Sequence, residues 1–332
     1  MRIRHGQRMK PTFLLRVVLC VMAWRQRDRS RGAVDGAHPV IPEVPGPVPS
    51  AVALRDLRRA MGRPCFPVWL SSLSVRRWTD VVLSGDDSAL TARVFRPKGR
   101  VRGVVLFLHG GGFVHCGIRS HHGICCRLAA ESGALVVSVD YRLAPEHRFP
   151  AAMDDARLAL TWVAQALPDV PLAVAGDSAG GTLSAGLAQW AREALPGRVK
   201  AQVLFYPALT GPIAPSSRFL FARGYMLTEE VMNWYCGQTL SQYRELFDPR
   251  FAPALADNLE GLPPALTVTA GFDPLRDEGG MYTRLLRQSG VEARHVHYPR
   301  MIHGFLNGYS FLKDGQRALH VGGMFLRDML RG

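Results

Sequence analysis

In the stretch AVAGDSAGGTLSAG, residues 173–186, the end of an apolar run is followed by an acid, a hydroxyl and a group of very small residues. The run Pro171–Ala175 is typical of a short buried strand, and Thr182–Glu193 carries apolar residues at helical spacing. The residues between them must therefore turn a strand into a helix within a few positions. This predicts that Ser178 lies at the tip of a sharp turn.

The neighbours of Ser178 suit such a turn, because Gly176, Ala179, Gly180 and Gly181 carry little or no side chain. The pattern is the G-x-S-x-G nucleophile elbow, in which a strained turn exposes a serine hydroxyl. An ordinary glycine-rich turn, in which the serine only caps the helix, would have the same pattern. The other motifs of the chain decide between the two interpretations.

Strand-like and helix-like segments alternate along most of the chain. Apolar runs typical of strands lie at residues 104–108, 134–139, 172–175, 201–205, 265–269 and 293–297, and helix-like segments lie at 122–131, 153–166, 179–194, 276–289 and 314–330. Ahead of them, residues 76–97 predict two strands around a polar turn at 85–88. The alternation predicts an α/β fold with a mainly parallel sheet that helices cover on both faces.

A long insertion between the strand near Phe205 and the strand near Ala265 interrupts the alternation. An insertion of this size usually forms a lid or a substrate wall, and this one is rich in aromatic residues and methionine. Together with Phe113, its large side chains are the candidate walls of a substrate pocket: Phe219, Phe221, Tyr225, Met226, Trp234 and Tyr235.

The N-terminal residues differ in composition from the rest. Residues 1–31 hold nine of the 41 lysines and arginines and one acid, so more than half of the net charge of +14 lies there. The remainder shows no interleaving of basic and aromatic residues, which disfavours a nucleic-acid partner. Residues 32–50 are rich in proline and glycine and predict a linker. We therefore expect a basic arm and linker over 1–50 and one α/β domain over 51–332.

Residues 12–24 are apolar but interrupted by Arg16, and the stretch is too short to span a membrane. No signal-peptidase pattern follows it, because Arg25–Arg31 come next. A poorly ordered arm, a helix packed on the fold, and a basic helix at a membrane surface all fit this stretch. The expected location is the cytoplasm, with or without membrane contact, and the oligomeric state is left open, a dimer included.

The six cysteines are too few and too scattered for a disulfide framework, which indicates a reducing compartment. One cluster raises the alternative of a zinc site. Small cysteines on the packing face of a helix explain it better, since no paired C-x-x-C motifs accompany it. The cluster consists of Cys116, His121, His122, Cys125 and Cys126.

A serine nucleophile needs a base, an acid that orients the base, and donors for the oxyanion, and each candidate follows a predicted strand. His109 and the three glycines after it match the oxyanion-loop motif of lipases and esterases. Asp273 precedes a proline at the start of a helix, and His303 lies just past the last strand. The chain order Ser178, Asp273, His303 is the one found in α/β-hydrolases.

Taken together, HGGG at 109–112, DYRLAPEHRFPAAMDD at 140–155, GDSAGG at 176–181, DPLRDEG at 273–279 and HGF at 303–305 resemble the hormone-sensitive-lipase-like family of α/β-hydrolase esterases, in its bacterial GDSAG branch. The resemblance covers roughly residues 75–330. It implies an α/β-hydrolase fold with a mainly parallel eight-stranded sheet flanked by helices. It also implies a cap built from residues of about 51–75 and 207–260, and no metal or organic cofactor.

The same resemblance implies hydrolysis of carboxylic esters, with Ser178 as nucleophile, His303 as base and then acid, and Asp273 orienting the histidine. The oxyanion donors would be the N–H groups of Gly110, Gly111 and Ala179, and the remaining motif residues His109, Gly112 and Asp177 would support the site. Arg142, Glu146, Asp154 and Asp155 are interpreted as structural charges.

Two alternatives remain open at the level of the sequence. Amide, acetyl-amino or lactone hydrolysis could use the same three residues. A small-molecule receptor of this family would lack the histidine, which is present here as His303.

Overall fold

The structure, a computed structural model, describes residues 42–84 and 89–331. Within these residues the strands are β1 (Arg77–Ser84), β2 (Ala89–Arg96), β3 (Val104–Leu108), β4 (Leu135–Val139), β5 (Leu172–Asp177), β6 (Val199–Phe205), β7 (Ala265–Phe272) and β8 (Ala293–Ile302). The helices are α1 (Ala51–Met61), α2 (Val68–Ser72), α3 (His122–Ser132), α4 (Ala151–Ala166), α5 (Ala179–Ala194), α6 (Ser216–Leu220), α7 (Glu229–Thr239), α8 (Arg276–Gln288) and α9 (Lys313–Met329). Short 3-10 helices lie at Tyr243–Phe247, Pro253–Leu255 and Phe305–Gly308.

All eight strands join one sheet in the order β1-β2-β4-β3-β5-β6-β7-β8. The pairs β1 with β2 and β2 with β4 are antiparallel, and every later pair is parallel. This confirms the predicted α/β-hydrolase fold with its eight-stranded, mainly parallel sheet. The antiparallel edge consists of the hairpin predicted over 76–97, and residues 85–88 of its turn lie outside the described part.

The core has two layers, one on each face of the sheet. Every residue of β3 is buried, and neighbouring side chains of a strand point to opposite faces, so β3 contributes to both layers. Val105 and Phe107 pack in the layer that α3 and α9 cover. Leu106 and Leu108 pack in the layer that α4 and α5 cover. Apolar side chains on both faces explain why β3 is a continuous hydrophobic run rather than an alternating one.

Three strands continue beyond their apolar runs, up to the residues of interest. The runs predict ends at 175, 269 and 297, whereas β5 ends at Asp177, β7 at Phe272 and β8 at Ile302. In the sheet, Asp177 pairs with Phe205, and Phe272 pairs with Ile302. Strand pairing therefore extends each strand past the end of its apolar run. As a result Ser178, Asp273 and His303 each follow directly after a strand.

The segment before the sheet is joined to the loop after β3. Arg58 of α1 donates to the carbonyl oxygens of Val114 and Ala144 at 2.9 Å each, and it pairs with Glu146 at 2.6 Å. Gly46 donates to the carbonyl of Gly237 in α7 at 2.8 Å. Residues before and within α1 thus contact both the loop and the insertion.

The predicted basic arm and its membrane-surface contact fall on residues 1–31, which lie outside the described residues. Among the residues that the structure does describe, every helix is too short or too polar to cross a lipid bilayer.

Candidate active site

The turn at Ser178 connects β5 directly to α5. Ser178 has φ 53° and ψ −121°, in the left-handed half of the map that residues with a side chain rarely occupy. A side chain on Gly180 would collide with the carbonyl oxygen of Leu108, and one on Gly176 would collide with the carbonyl of Gly180. Only residues without a Cβ allow the strand, the turn and the helix to approach this closely, so the glycines of the motif permit the strained backbone of Ser178.

A hydrogen-bonded chain links the three predicted residues. The Oγ of Ser178 lies 2.8 Å from Nε2 of His303, and Nδ1 of His303 lies 2.8 Å from Oδ2 of Asp273. Asp273 is fully buried, and its other oxygen accepts the N–H of Leu275 at 2.8 Å. This carboxylate therefore has a fixed orientation, and it faces the ring nitrogen that lies away from the serine.

The ring of His303 is also packed in place. The ring of Tyr206, at the end of β6, lies edge-on to it with centroids 4.9 Å apart. Tyr206 is fully buried and has a positive φ of 38°, and it was not among the residues predicted for the site. Its only signal in the sequence is its position directly after a strand that neighbours the serine strand.

The glycine loop after β3 departs from the expected set of oxyanion donors. The N–H of Gly110 donates to Oδ1 of Asp177 at 2.9 Å, so this N–H is not available to a substrate oxygen. Gly110, Gly111, Gly112 and Ala179 all line the cavity together with Ser178. This differs from the expectation for Gly110, because a buried carboxylate accepts its N–H.

Two buried histidines surround Asp177. Burial pushes the pKa of Asp177 upward, but His121, whose Nε2 lies 3.1 Å from Oδ1, and the Gly110 N–H outweigh it, and the net shift is downward. Burial lowers the pKa of His109 to about 3, so this ring is neutral where it stacks on Tyr141. Asp177 is thus an ionised group directly behind the serine turn.

Most side chains of the cysteine and histidine cluster face partners outside it, although Sγ of Cys126 lies 3.4 Å from Nε2 of His122. His122 contacts Ser72 at 2.9 Å and Arg93 at 3.2 Å, while Cys125 and Cys126 pack in the core against the sheet. His121 faces Asp177. Nowhere in residues 42–84 and 89–331 do three or more His, Cys, Asp or Glu side chains form a group that could hold a metal ion.

The remaining member of that cluster, Cys116, contacts His115, and His115 joins the glycine loop to the insertion. Nε2 of His115 lies 2.6 Å from the hydroxyl of Tyr235, and its Nδ1 lies 3.1 Å from Sγ of Cys116. Burial lowers the pKa of His115 to about 4 and raises that of Cys116 to about 12, so both are neutral near pH 7. The contact is a neutral hydrogen bond between the loop and α7.

A cavity of about 400 Å³ opens above Ser178 and His303. Of the predicted walls, the side chains of Phe113, Phe219, Met226 and Tyr235 line it. The volume lies within the range of small-molecule sites, and most of the lining is apolar.

Three predicted walls are not among the lining residues. Phe221 and Tyr225 pack on Phe272, with ring centroids 5.9 and 5.2 Å apart, and Trp234 packs on Tyr235 at 5.3 Å. Each belongs to a short segment whose other face lines the cavity, and the sequence did not show which face turns inward.

A buried charge pair at the cavity wall could not be predicted from the sequence. Arg218 lines the cavity and pairs with Glu278 at 2.7 Å, and Glu278 is fully buried. The other oxygen of Glu278 accepts the N–H groups of Leu209 and Thr210 at 2.7 and 3.0 Å. The pair joins α6 to α8, and residues so far apart in sequence leave no local pattern.

Known proteins are similar to this chain in sequence and in structure. The model of a family described as alpha/beta hydrolase fold matches residues 105–307. The chain is 36% identical to the esterase LipI of Mycobacterium tuberculosis over 294 residues, which cover 84% of this chain and 87% of LipI. It is 39% identical to the carboxylic ester hydrolase LipN of the same organism, over 69% of this chain and 64% of LipN. The alignment thus spans less than two thirds of LipN.

Solved structures are similar over a larger share of the chain. A hyperthermophilic esterase from the archaeon Pyrobaculum calidifontis superimposes with a TM-score of 0.84 and 37% identity, over 98% of this chain and all of that one.

Proposed function

The chain belongs to the α/β-hydrolase fold family, in its hormone-sensitive-lipase-like group of esterases, and from this membership we propose that it is a serine esterase acting on carboxylic esters. The observation that carries the proposal is the chain of two 2.8 Å hydrogen bonds from Ser178 through His303 to Asp273, at the floor of an apolar cavity. A serine, an imidazole and an orienting carboxylate in this arrangement are the parts of nucleophilic acyl transfer.

In the first half of the reaction, Oγ of Ser178 attacks the ester carbonyl carbon while Nε2 of His303 takes the hydroxyl proton. Asp273 holds the ring in the tautomer that leaves Nε2 free to accept, and it stabilises the imidazolium that forms. The bond from the carbonyl carbon to the alcohol oxygen then breaks, and His303 gives its proton to that oxygen. An acyl-enzyme remains on Ser178.

Water completes the second half by the same route. His303 takes a proton from water, the resulting oxygen nucleophile attacks the acyl carbon, and Ser178 leaves with the proton from His303. In both halves the developing negative charge falls on the former carbonyl oxygen. The N–H groups of Gly111, Gly112 and Ala179 would receive it, because Asp177 occupies the N–H of Gly110.

The dimensions of the cavity support short to medium acyl chains. Each buried methylene contributes about 0.8 kcal/mol, so kcat/KM should rise with chain length until the pocket ends and then fall. We expect a maximum at roughly four to eight acyl carbons, with little activity on long triglycerides.

The test is a hydrolysis panel of esters, amides and lactones, run with the wild type and with Ser178→Ala. We expect ester turnover in the wild type and nearly none in the variant, at an almost unchanged melting temperature, because the hydroxyl lies at the cavity surface. Faster turnover of amides or lactones would replace the ester assignment. Activity that survives in Ser178→Ala would overturn the nucleophile.

Residues 1–31 need a separate experiment. We propose that they form a basic arm of a cytoplasmic enzyme that contacts anionic membranes weakly. Removing them should leave ester turnover largely intact and reduce co-sedimentation with anionic vesicles. Equal vesicle binding with and without the arm would contradict this.

A further inference from the structure

A second and much smaller cavity, of about 10 Å³, adjoins the one that contains Ser178. The two cavities share three lining residues, Phe113, Thr239 and Phe251, which together form a partition between them. A space of this size holds about one water molecule at most. It is therefore a packing gap behind a wall rather than a binding site of its own.

Phe251 differs from the other two residues of the partition, because one of them belongs to the glycine loop and the other is hydrogen-bonded to it. Phe113 belongs to that loop and has a positive φ of 64°, and the hydroxyl of Thr239 donates to the carbonyl of Gly112 at 3.4 Å. The ring of Phe251 packs on two other rings, with centroids 5.8 Å from Phe113 and 5.9 Å from Phe149.

The backbone around Phe251 is held by contacts that do not involve its ring. Its N–H donates to the carbonyl of Asp248 at 2.8 Å, and the Asp248 carboxylate pairs with Arg250 at 2.7 Å. On the other side, Ala254 donates to the carbonyl of Leu209 at 2.9 Å. A smaller side chain at Phe251 should therefore open the partition without releasing the segment.

The position of His303 indicates which arm of an ester reaches this wall. His303 must give its proton to the leaving alcohol, so the alcohol lies on the side where Gly304 and Asn307 line the cavity. Phe251 instead packs on Phe113, which follows the glycines that would receive the oxyanion. The acyl arm of an ester bound in this way would point away from the leaving group and toward this wall.

We propose that the ring of Phe251 ends the acyl arm of the cavity and thereby sets the longest acyl chain that the enzyme accepts. The inference rests on the proposed esterase function and deepens it: the substrates are esters whose acyl group fits in front of this ring. Removing the ring joins the two cavities and leaves the triad and the glycine loop in place.

The experiment compares Phe251→Ala and the milder Phe251→Leu with the wild type on p-nitrophenyl acetate, butyrate, octanoate and dodecanoate. Each further methylene that finds apolar room should raise kcat/KM about fourfold. We expect the ratio of kcat/KM for octanoate over butyrate to rise by about tenfold or more in Phe251→Ala. Phe251→Leu should give a smaller rise in the same direction, and it carries the test if the alanine variant does not fold.

Phe247→Ala is the matched control. This ring belongs to the same insertion, is 51% exposed and does not line the cavity, so its removal should leave the acyl-length profile unchanged. A series of acetate esters with longer alcohols tests the assignment of the arm, and Phe251→Ala should leave that profile as in the wild type.

Three results would overturn the proposal: an unchanged acyl profile in both Phe251 variants, a lengthened alcohol profile in place of the acyl one, or the same shift in Phe247→Ala. The Ser178→Ala variant separates these failures from failure of the esterase function. If it still hydrolyses the esters, the function is wrong whatever Phe251 does. If it is inactive and the Phe251 profiles do not move, only the partition is wrong.

Discussion

The N–H of Gly110 donates to Oδ1 of Asp177 at 2.9 Å, which ties the glycine loop to the residue directly before Ser178. The hydroxyl of Tyr206 donates to the other oxygen of Asp177 at 3.4 Å, and its ring packs against His303. One buried carboxylate therefore contacts the loop, the serine turn and the residue that braces the histidine. Removing it should disturb all three at once.

For Asp177→Ala we expect kcat on a short ester to fall by about a hundredfold, because a displacement of about 1 Å in a catalytic group costs roughly this factor. The loss of an acceptor for two buried donors should also lower the free energy of unfolding by about 1–3 kcal/mol. Asp177→Asn keeps an acceptor for Gly110 and should recover much of kcat. Steady-state kinetics and thermal unfolding measure the two effects.

Asp155→Ala is the control for that prediction. Asp155 is equally buried, accepts the N–H of Arg142 at 2.7 Å and lies in α4, away from the cavity lining. Its loss should reduce stability and leave kcat per folded molecule near the wild-type value. Equal losses of kcat in the two alanine variants would show that Asp177 acts through stability alone.

The choice of the orienting acid can be tested against a near neighbour. Asp273→Asn should lower kcat by about four orders of magnitude, because an amide favours the wrong tautomer of His303. Asp277 is partly exposed, pairs with Arg276 and accepts the N–H of Ser217 at 2.9 Å. Asp277→Asn should therefore lower kcat little, and the reverse order of the two effects would identify Asp277 as the acid.

Stability should depend on pH through the buried histidines. Burial lowers the pKa of His109 to about 3 and those of His115 and His122 to about 4, whereas an unfolded histidine titrates near 6.5. Below about pH 6.5 these histidines are protonated in the unfolded chain but stay neutral in the folded one. The free energy of unfolding therefore falls as the pH falls toward 4. The slope approaches 1.4 kcal/mol per pH unit for each such histidine.

Urea unfolding between pH 4.5 and 7.5 measures that slope. His115→Gln should make it shallower, because one buried group no longer titrates. A slope that is the same in wild type and His115→Gln would contradict the prediction.

The pair of Arg218 and Glu278 gives a prediction about stability. Arg218→Met leaves the buried Glu278 carboxylate with two backbone donors but without its cation, which should cost about 3–5 kcal/mol. Adding Glu278→Gln removes the uncompensated charge, so the double variant should be more stable than Arg218→Met alone. Chemical unfolding of the wild type and the variants checks the order. A double variant that is less stable than Arg218→Met would refute the coupling.

The alternation of strands and helices and the order of the three motif residues were readable because they depend on local properties of the chain. Side chains buried on both faces make a parallel strand apolar throughout, as in β3, and a turn as tight as that at Ser178 needs glycines beside it. Asp273 and His303 could be assigned because each follows a strand whose carboxyl end lies at the same edge of the sheet.

Relationships between distant residues were decided by the tertiary structure. Whether the N–H of Gly110 faces a substrate or Asp177 depends on how two loops approach each other, and the hydropathy of the sequence does not indicate that approach. The same holds for the cavity wall, where Phe251 lines the site while Phe221 turns toward Phe272. Periodicity shows that a short segment has two faces, but the packing of the whole chain determines which face turns inward.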